Sequence, residues 1–184
     1  NDGPALVVRT HLEHEAVRQI LGPLGPIGRA CELGCGYGRM ALVLQDLCEA
    51  VKGFEREAHL VAMARALLPS TEFEQVSELW NAADSEPFDL AMTFTVLQHL
   101  TDTDAKRVCA TLKQLAPAGH VLLVEKTEAI SVTAAASDGR RFLSRCRDVA
   151  TYQEYMTPFR LVQTMPRPVE PTSARPSAGC LMLF

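Results

Sequence analysis

The stretch Cys31-Glu-Leu-Gly-Cys-Gly-Tyr-Gly-Arg39 decides the fold of this chain. It follows a short apolar segment at 29–33. It precedes a segment at 40–47 in which apolar residues recur at the three- and four-residue spacing of a helix. Its three glycines are Gly34, Gly36 and Gly38. A glycine turn between a strand and a helix lets main-chain N–H groups approach a ligand closely, at the place where open α/β sheets bind ligands. The stretch therefore predicts a ligand-binding turn.

The segments around this turn alternate between strand and helix patterns. Strands are predicted at 29–33, 51–54, 71–76, 88–94 and 121–124. Helices are predicted at 11–21, 40–47, 57–68 and 102–115. This alternation is typical of an α/β protein with a doubly wound, mostly parallel sheet and right-handed crossovers.

The pattern loosens after Glu125. We expect residues 130–139 to form a helix or a mobile loop, and residues 148–156 to form a helix. Two final strands are predicted at 159–165 and 179–184. Prolines between these strands predict irregular structure there, because proline fixes its own φ and lacks an N–H donor. They are Pro166, Pro168, Pro171 and Pro176.

Composition narrows the class of protein. The chain has 184 residues, of which 47% are hydrophobic, and this predicts one compact domain. The net charge is −4 and no Lys/Arg block exceeds two residues, so we expect no nucleic-acid partner. No apolar run is long enough to cross a bilayer and no signal-peptide pattern opens the chain. Six cysteines without zinc-site spacing predict reduced thiols. We expect a cytoplasmic protein that does not bind membranes, and the oligomeric state stays open.

The spacing of the glycines separates two classes of cofactor. A dinucleotide fingerprint, G-x-G-x-x-G, would place its third glycine at position 39, where the chain has Arg39. The run instead resembles the E/D-x-G-x-G-x-G first motif of class I S-adenosylmethionine (SAM)-dependent methyltransferases, with Glu32 as the acidic member. A nicotinamide-dependent oxidoreductase is the alternative that Arg39 disfavours.

Two further stretches carry the same resemblance. Residues 88–100 resemble the fourth-strand motif of the family, and residues 117–125 resemble the turn and fifth strand that follow it. The resemblance covers roughly residues 29–126. It implies a Rossmann-like sheet of seven strands, mostly parallel, with the last strand antiparallel. We expect a single methyltransferase domain over 1–184. Its parts are an N-terminal helical segment at 1–28, a cofactor-binding core at 29–126 and a C-terminal part at 127–184 that completes the sheet.

The resemblance also implies a set of SAM-binding residues. Those in and beside the glycine turn are Glu32, Gly34, Cys35, Gly36 and Gly38. Glu55 lies 21 residues after Gly34, which is the usual distance of a ribose-binding acid from a glycine turn. Ser77 or Glu78 is expected to bind the adenine amino group, and the sequence does not choose between them. Thr93 and Phe94, at the end of the fourth strand, are expected to line the methyl-transfer site. Trp80 stacks on the adenine or covers the core, and we favour the core.

One residue is a candidate general base. His99 follows the fourth strand, whose carboxyl end faces the transferred methyl group in this family. A structural role for His99 is the alternative, and we favour it. No carboxylate cluster indicates a metal.

We expect transfer of a methyl group from SAM to an O, N or C nucleophile of a small molecule, with S-adenosylhomocysteine (SAH) as the other product. The alternatives are methylation of a peptide or protein amine, and SAM binding without turnover.

Overall fold

The computed structural model describes residues 3–127, 132–135, 141–168 and 179–184. The helices are α1 Gly3–Leu21, α2 Ala41–Leu47, α3 Ala58–Leu67, α4 Asp102–Leu115 and α5 Val149–Met156. The strands are β1 Ile27–Leu33, β2 Cys48–Glu55, β3 Glu72–Gln75, β4 Leu90–Phe94, β5 His120–Lys126, β6 Val132–Ala135, β7 Arg141–Ser144, β8 Gln163–Pro166 and β9 Gly179–Leu183.

Seven of these strands form one sheet in the order β3-β2-β1-β4-β5-β9-β8. Strands β1 to β5 are parallel, whereas β9 runs antiparallel to both of its neighbours, β5 and β8. The predicted fold class is therefore confirmed, including the antiparallel last strand. The strand order reverses between β1 and β4, and in open α/β sheets such a switch point forms the ligand crevice.

The two central strands β4 and β5 are buried on both faces, as their continuous apolar sequences predict. On one face, Ala91 and Leu123 pack with residues of α4 and α5. On the other face, Met92 and Leu122 pack with residues of α1 and α2. The sheet is thus a buried middle layer. The loops at the carboxyl ends of β1, β2 and β4 lie outside this layer and can form a ligand site.

The N-terminal helix is longer than predicted, and it buries a carboxylate. α1 begins at Gly3 rather than at residue 11. The only glycine and proline of this segment are Gly3 and Pro4, and proline is tolerated in the first turn of a helix. Its buried residues are Glu13, Ala16, Val17, Ile20 and Leu21. The burial of Glu13, a carboxylate, could not be expected from an apolar pattern. No helix among the described residues is long and apolar enough to cross a membrane.

The C-terminal third differs in two places. Val132–Ala135 is a strand that pairs with Arg141–Ser144, so neither a helix nor a mobile loop is correct for these four residues. The rest of the stretch 130–139 lies outside the described residues. The strand predicted at 159–165 is shorter and later, at Gln163–Pro166. Pro166 is accommodated because β8 is an edge strand, where a missing N–H donor costs little.

Candidate active site

The glycine turn has left-handed backbone conformations at all three glycines. The φ angles are +76° at Gly34, +57° at Gly36 and +88° at Gly38. A Cβ atom on Gly34 would lie 2.6 Å from a methyl group of Val96, so this glycine lets the turn pack against the loop after β4. A Cβ atom on Gly36 would meet nothing within 4 Å. The space above Gly36 is therefore open to a ligand.

Glu55 ends β2 and joins two main-chain segments. One carboxylate oxygen accepts the Gly36 N–H at 2.9 Å, and the other accepts the N–H groups of Arg56 and Glu57 at 2.7 and 3.0 Å. A carboxylate offers about four acceptor positions, so about one remains for a ligand. Glu55 lies beside the glycine turn, and two ribose hydroxyls could be accepted together only if one main-chain donor moved.

Glu32 is a buried carboxylate at the end of β1. Its Oε2 atom has no hydrogen-bond partner among the described residues. Burial raises the pKa of Glu32 to about 8, and the nearby positive charge of Arg39 opposes that rise. An unsatisfied buried acceptor costs free energy that a ligand donor would recover.

A cavity of about 250 Å³ lies between the glycine turn and the loop after β4. Its wall contains four of the predicted site residues, Gly34, Glu55, Glu78 and His99. Trp80 also lines the cavity, and it packs at the same time against the core, which is the role that we favour for it. The cavity therefore lies at the switch point of the sheet and carries two carboxylates.

Four other predicted site residues, Ser77, Cys35, Thr93 and Phe94, are not among the residues that line this cavity. Ser77 accepts a hydrogen bond from Asn81, and Cys35 packs in the apolar cluster between α2 and α3. Thr93 is fully buried and its hydroxyl has no partner among the described residues. The guanidinium groups of Arg39 and Arg167 contact the Phe94 ring, at 4.9 and 5.3 Å from the ring centre.

A larger cavity of about 580 Å³ lies between α1, the glycine turn and the helices α2 and α3. Among the predicted residues only Gly38 lines it, and the other lining residues, which include Leu6, Val7 and Tyr37, are mostly apolar and include no carboxylate. Two carboxylates line the smaller cavity, whereas none lines the larger one. The described residues hold no cluster of three or more potential metal ligands.

The sequence did not indicate the charged cluster that ties α1 to this site. The buried Glu13 carboxylate pairs with Arg39, which follows the glycine turn, and with Arg167, which follows β8. His14 adds a hydrogen bond from its ring to the Arg39 carbonyl at 2.9 Å. The residues come from three distant parts of the chain, so no local pattern could reveal the cluster.

Comparison with known proteins identifies the class. Residues 30–119 match the family described as a methyltransferase domain. No curated protein matches the chain. Among solved structures, DhpI in complex with SAH is similar at 21% identity and a TM-score of 0.71, over 98% of this chain and 86% of DhpI.

Two other similar structures contain SAM. The glycopeptide N-methyltransferase MtfA has a TM-score of 0.73 at 15% identity, over 94% of this chain and 93% of MtfA. The magnesium protoporphyrin IX methyltransferase ChlM from Synechocystis PCC 6803 has a TM-score of 0.69 at 17% identity, over 95% of this chain and 78% of ChlM.

The sheet order and the glycine turn define a Rossmann-like fold, which these similar structures share. Residues 30–119 match a methyltransferase domain, so the predicted resemblance to methyltransferases is confirmed for this part of the chain, and the match indicates an enzyme.

Proposed function

We propose that this enzyme transfers the SAM methyl group to an O, N or C nucleophile of a small molecule in the cavity between the glycine turn and the loop after β4. The observation that carries the proposal is the wall of that cavity, where Gly34, Glu55, Glu78 and His99 come together. SAM supplies an activated methyl group on a sulfonium centre. The protein has to hold that group in line with the acceptor and exclude water.

The polar groups of the site fit the parts of SAM. The unpartnered Oε2 of Glu32 suits the ammonium group, and the remaining acceptor position of Glu55 suits a ribose hydroxyl. Glu78 lines the cavity and Ser77 does not, so we favour Glu78 for the adenine amino group. Open space at Gly36 leaves room for the cofactor to approach the turn.

The cavity of about 250 Å³ is smaller than most ligand sites and is lined by residues assigned here to SAM, so its volume does not distinguish between acceptors. Methylation of a peptide amine is the second candidate, and the similarity to MtfA, which is named as a glycopeptide N-methyltransferase, favours it. A methyl-donor assay against a panel of metabolites and short peptides separates the two.

Calorimetric titration tests the cofactor site. SAM and SAH should bind and NAD should not. Gly36→Val should abolish SAH binding, because the side chain fills the open space and φ is positive there. Gly25→Val is the matched control, since Gly25 also has a positive φ and open surroundings but lies outside the site. Normal SAH binding by Gly36→Val, or equal losses in both variants, would contradict the proposed site.

A further inference from the structure

The loop Thr95–Leu100, between β4 and α4, forms one wall of the cavity. Thr95, Val96, His99 and Leu100 line it, and Val96 packs against Gly34. Thr95 has a φ of +57°, which is uncommon for a residue with a side chain. Such a conformation persists only where the surrounding structure imposes it. The neighbours of this loop must therefore hold it in place.

Glu125 holds the N–H side of the loop. It lies at the end of β5 and its side chain is completely buried. Its Oε1 accepts the N–H groups of Val96 and Leu97 at 3.0 and 2.9 Å, and its Oε2 accepts that of Gln98 at 3.1 Å. Three successive main-chain donors thus converge on one carboxylate, and hydrogen bonds to an ionised acceptor are about twice as strong as neutral ones.

Arg147 holds the carbonyl side of the same loop. It precedes α5, and its side chain is only 5% exposed. Its two terminal nitrogens donate to the carbonyls of Leu97 and Leu100 at 2.7 and 2.8 Å, while its Nε donates to Asp102 at 2.9 Å. The planar guanidinium suits several acceptors at fixed angles, which lysine cannot reproduce.

We propose that Glu125 and Arg147 are positioning residues that clamp the loop Thr95–Leu100 from opposite sides and so set the place of Thr95 and His99 in the cavity. This inference rests on the proposed function, since the loop matters to catalysis only if methyl transfer takes place in the cavity. A displacement of about 1 Å in such a wall can cost about 100-fold in rate.

The clamp has a pH signature. Burial raises the pKa of Glu125 to about 7, although its three hydrogen bonds from the main chain lower it. Other titratable or charged groups face this carboxylate: Cys109 from α4, Tyr152 from α5 and Arg167 after β8. Burial raises the pKa of Cys109 to about 12 and raises that of Tyr152 as well, so both stay protonated at neutral pH. Between pH 6 and 8.5 the three main-chain donors should therefore report the ionisation of Glu125.

The test is NMR of the ¹⁵N-labelled protein. The amide signals of Val96, Leu97 and Gln98 should move together with pH, with a midpoint near the pKa of Glu125. His99→Asn should leave this titration in place, whereas Glu125→Gln should abolish it and speed exchange of these amides by about tenfold, the effect of one lost charge-assisted hydrogen bond. Glu15→Gln is the control, because Glu15 is an exposed carboxylate of α1 that pairs with Arg18. It should leave these amides unchanged.

Two results would overturn the clamp. One is the absence of a common titration in the unmodified protein, which needs no variant to fold. The other is equal exchange of the three amides in Glu125→Gln and the parent. Titration with SAH then links the clamp to the site: affinity should fall in the order parent, Arg147→Lys, Arg147→Met, and equal affinities would overturn the link to the cavity. If the parent itself fails to bind SAH, the proposed function fails, whereas the NMR result still decides whether the clamp exists.

Discussion

Glu32 shows how a single buried carboxylate prepares a site for a cationic ligand. One of its oxygens lacks a partner among the described residues, and its pKa is raised to about 8 by burial. In the free enzyme at pH 7 the group is therefore mostly protonated. An ammonium group placed beside it favours the ionised form, because a nearby opposite charge lowers the pKa of a carboxyl group.

Binding of SAH should consequently release close to one proton at pH 7. Calorimetric titration in buffers with different enthalpies of ionisation measures this number directly. Glu32→Gln should release none, and methylthioadenosine, which has no ammonium group, should release none from the parent. Identical binding enthalpies in all buffers would show that Glu32 does not meet the ammonium group.

His99 lines the cavity, yet its ring already has a partner. Its Nε2 lies 3.0 Å from Nε2 of Gln98, and an amide nitrogen only donates, so the imidazole nitrogen accepts there. This arrangement favours the structural role over that of a general base. We expect His99→Asn to keep near-normal turnover and to lose about 1–3 kcal/mol of unfolding free energy, the cost of an unsatisfied buried partner.

Turnover as a function of pH and denaturant unfolding check this prediction. If His99 were a general base, His99→Asn would instead lower turnover by about 10²–10⁴-fold and change SAM affinity little. The substitution would also remove a rise of activity with pH near 6.5, the ordinary pKa of histidine. Either of these results would return His99 to catalysis.

At the scale of the elements, helices and strands with local sequence signals were predictable, and those defined by long-range contacts were not. The buried strand Leu90–Phe94 and the helix Asp102–Leu115 were predictable, because an apolar run and an N-cap at Thr101 are local signals. The hairpin of Val132–Ala135 with Arg141–Ser144 was not, since a short strand is defined by its partner. The clamp residues Glu125 and Arg147 were missed for the same reason.

The N-terminal helix shows how much one such long-range contact contributes to the free energy of unfolding. Glu13→Ala should leave the guanidinium groups of Arg39 and Arg167 without their carboxylate. Both are largely buried, with side-chain exposures of 18% and 11%. Breaking a buried pair by removing one partner costs about 3–5 kcal/mol, so the free energy of unfolding should fall by that amount.

Chemical denaturation measures the loss, and the same helix supplies the control. Glu15 forms an exposed ion pair with Arg18, so Glu15→Ala should change stability by no more than about 1 kcal/mol. Similar effects of the two substitutions would mean that Glu13 does not hold α1 to the sheet.

At the scale of the whole molecule, the sheet gathers buried charge at one edge. Glu32 and Glu125 lie next to the ends of β1 and β5, and Glu55 ends β2. Parallel strands bring their carboxyl ends to the same edge, which is why acids from three separate parts of the sequence meet there. The glycine turn predicted the position of the site. It did not predict that the burial of these acids lowers the stability of the fold.

That cost should appear in the pH dependence of folding. Burial raises the pKa of Glu32 to about 8 and that of Glu125 to about 7, above the ordinary value of 4.5. The native state therefore binds more protons than the unfolded chain between pH 4.5 and these values. Stability changes with pH in proportion to the difference in bound protons, so unfolding free energy should fall as pH rises from 6.5 to 8.

Each group can contribute up to about 1.4 kcal/mol per pH unit within its window. His14 acts in the opposite direction but only at lower pH, because burial lowers its pKa and its contribution is lost as pH falls through the histidine range. Asp84, whose pKa is lowered to about 2 by hydrogen bonds from Lys52 and Arg29, titrates far below this window.

Melting temperatures at pH 6.5, 7.25 and 8 should therefore decline steadily in the parent. The decline should be weaker in Glu32→Gln, since that variant has lost the group with the higher pKa. A melting temperature that rises over this range would mean that the two acids are ionised and paired in the native state, not held neutral by burial.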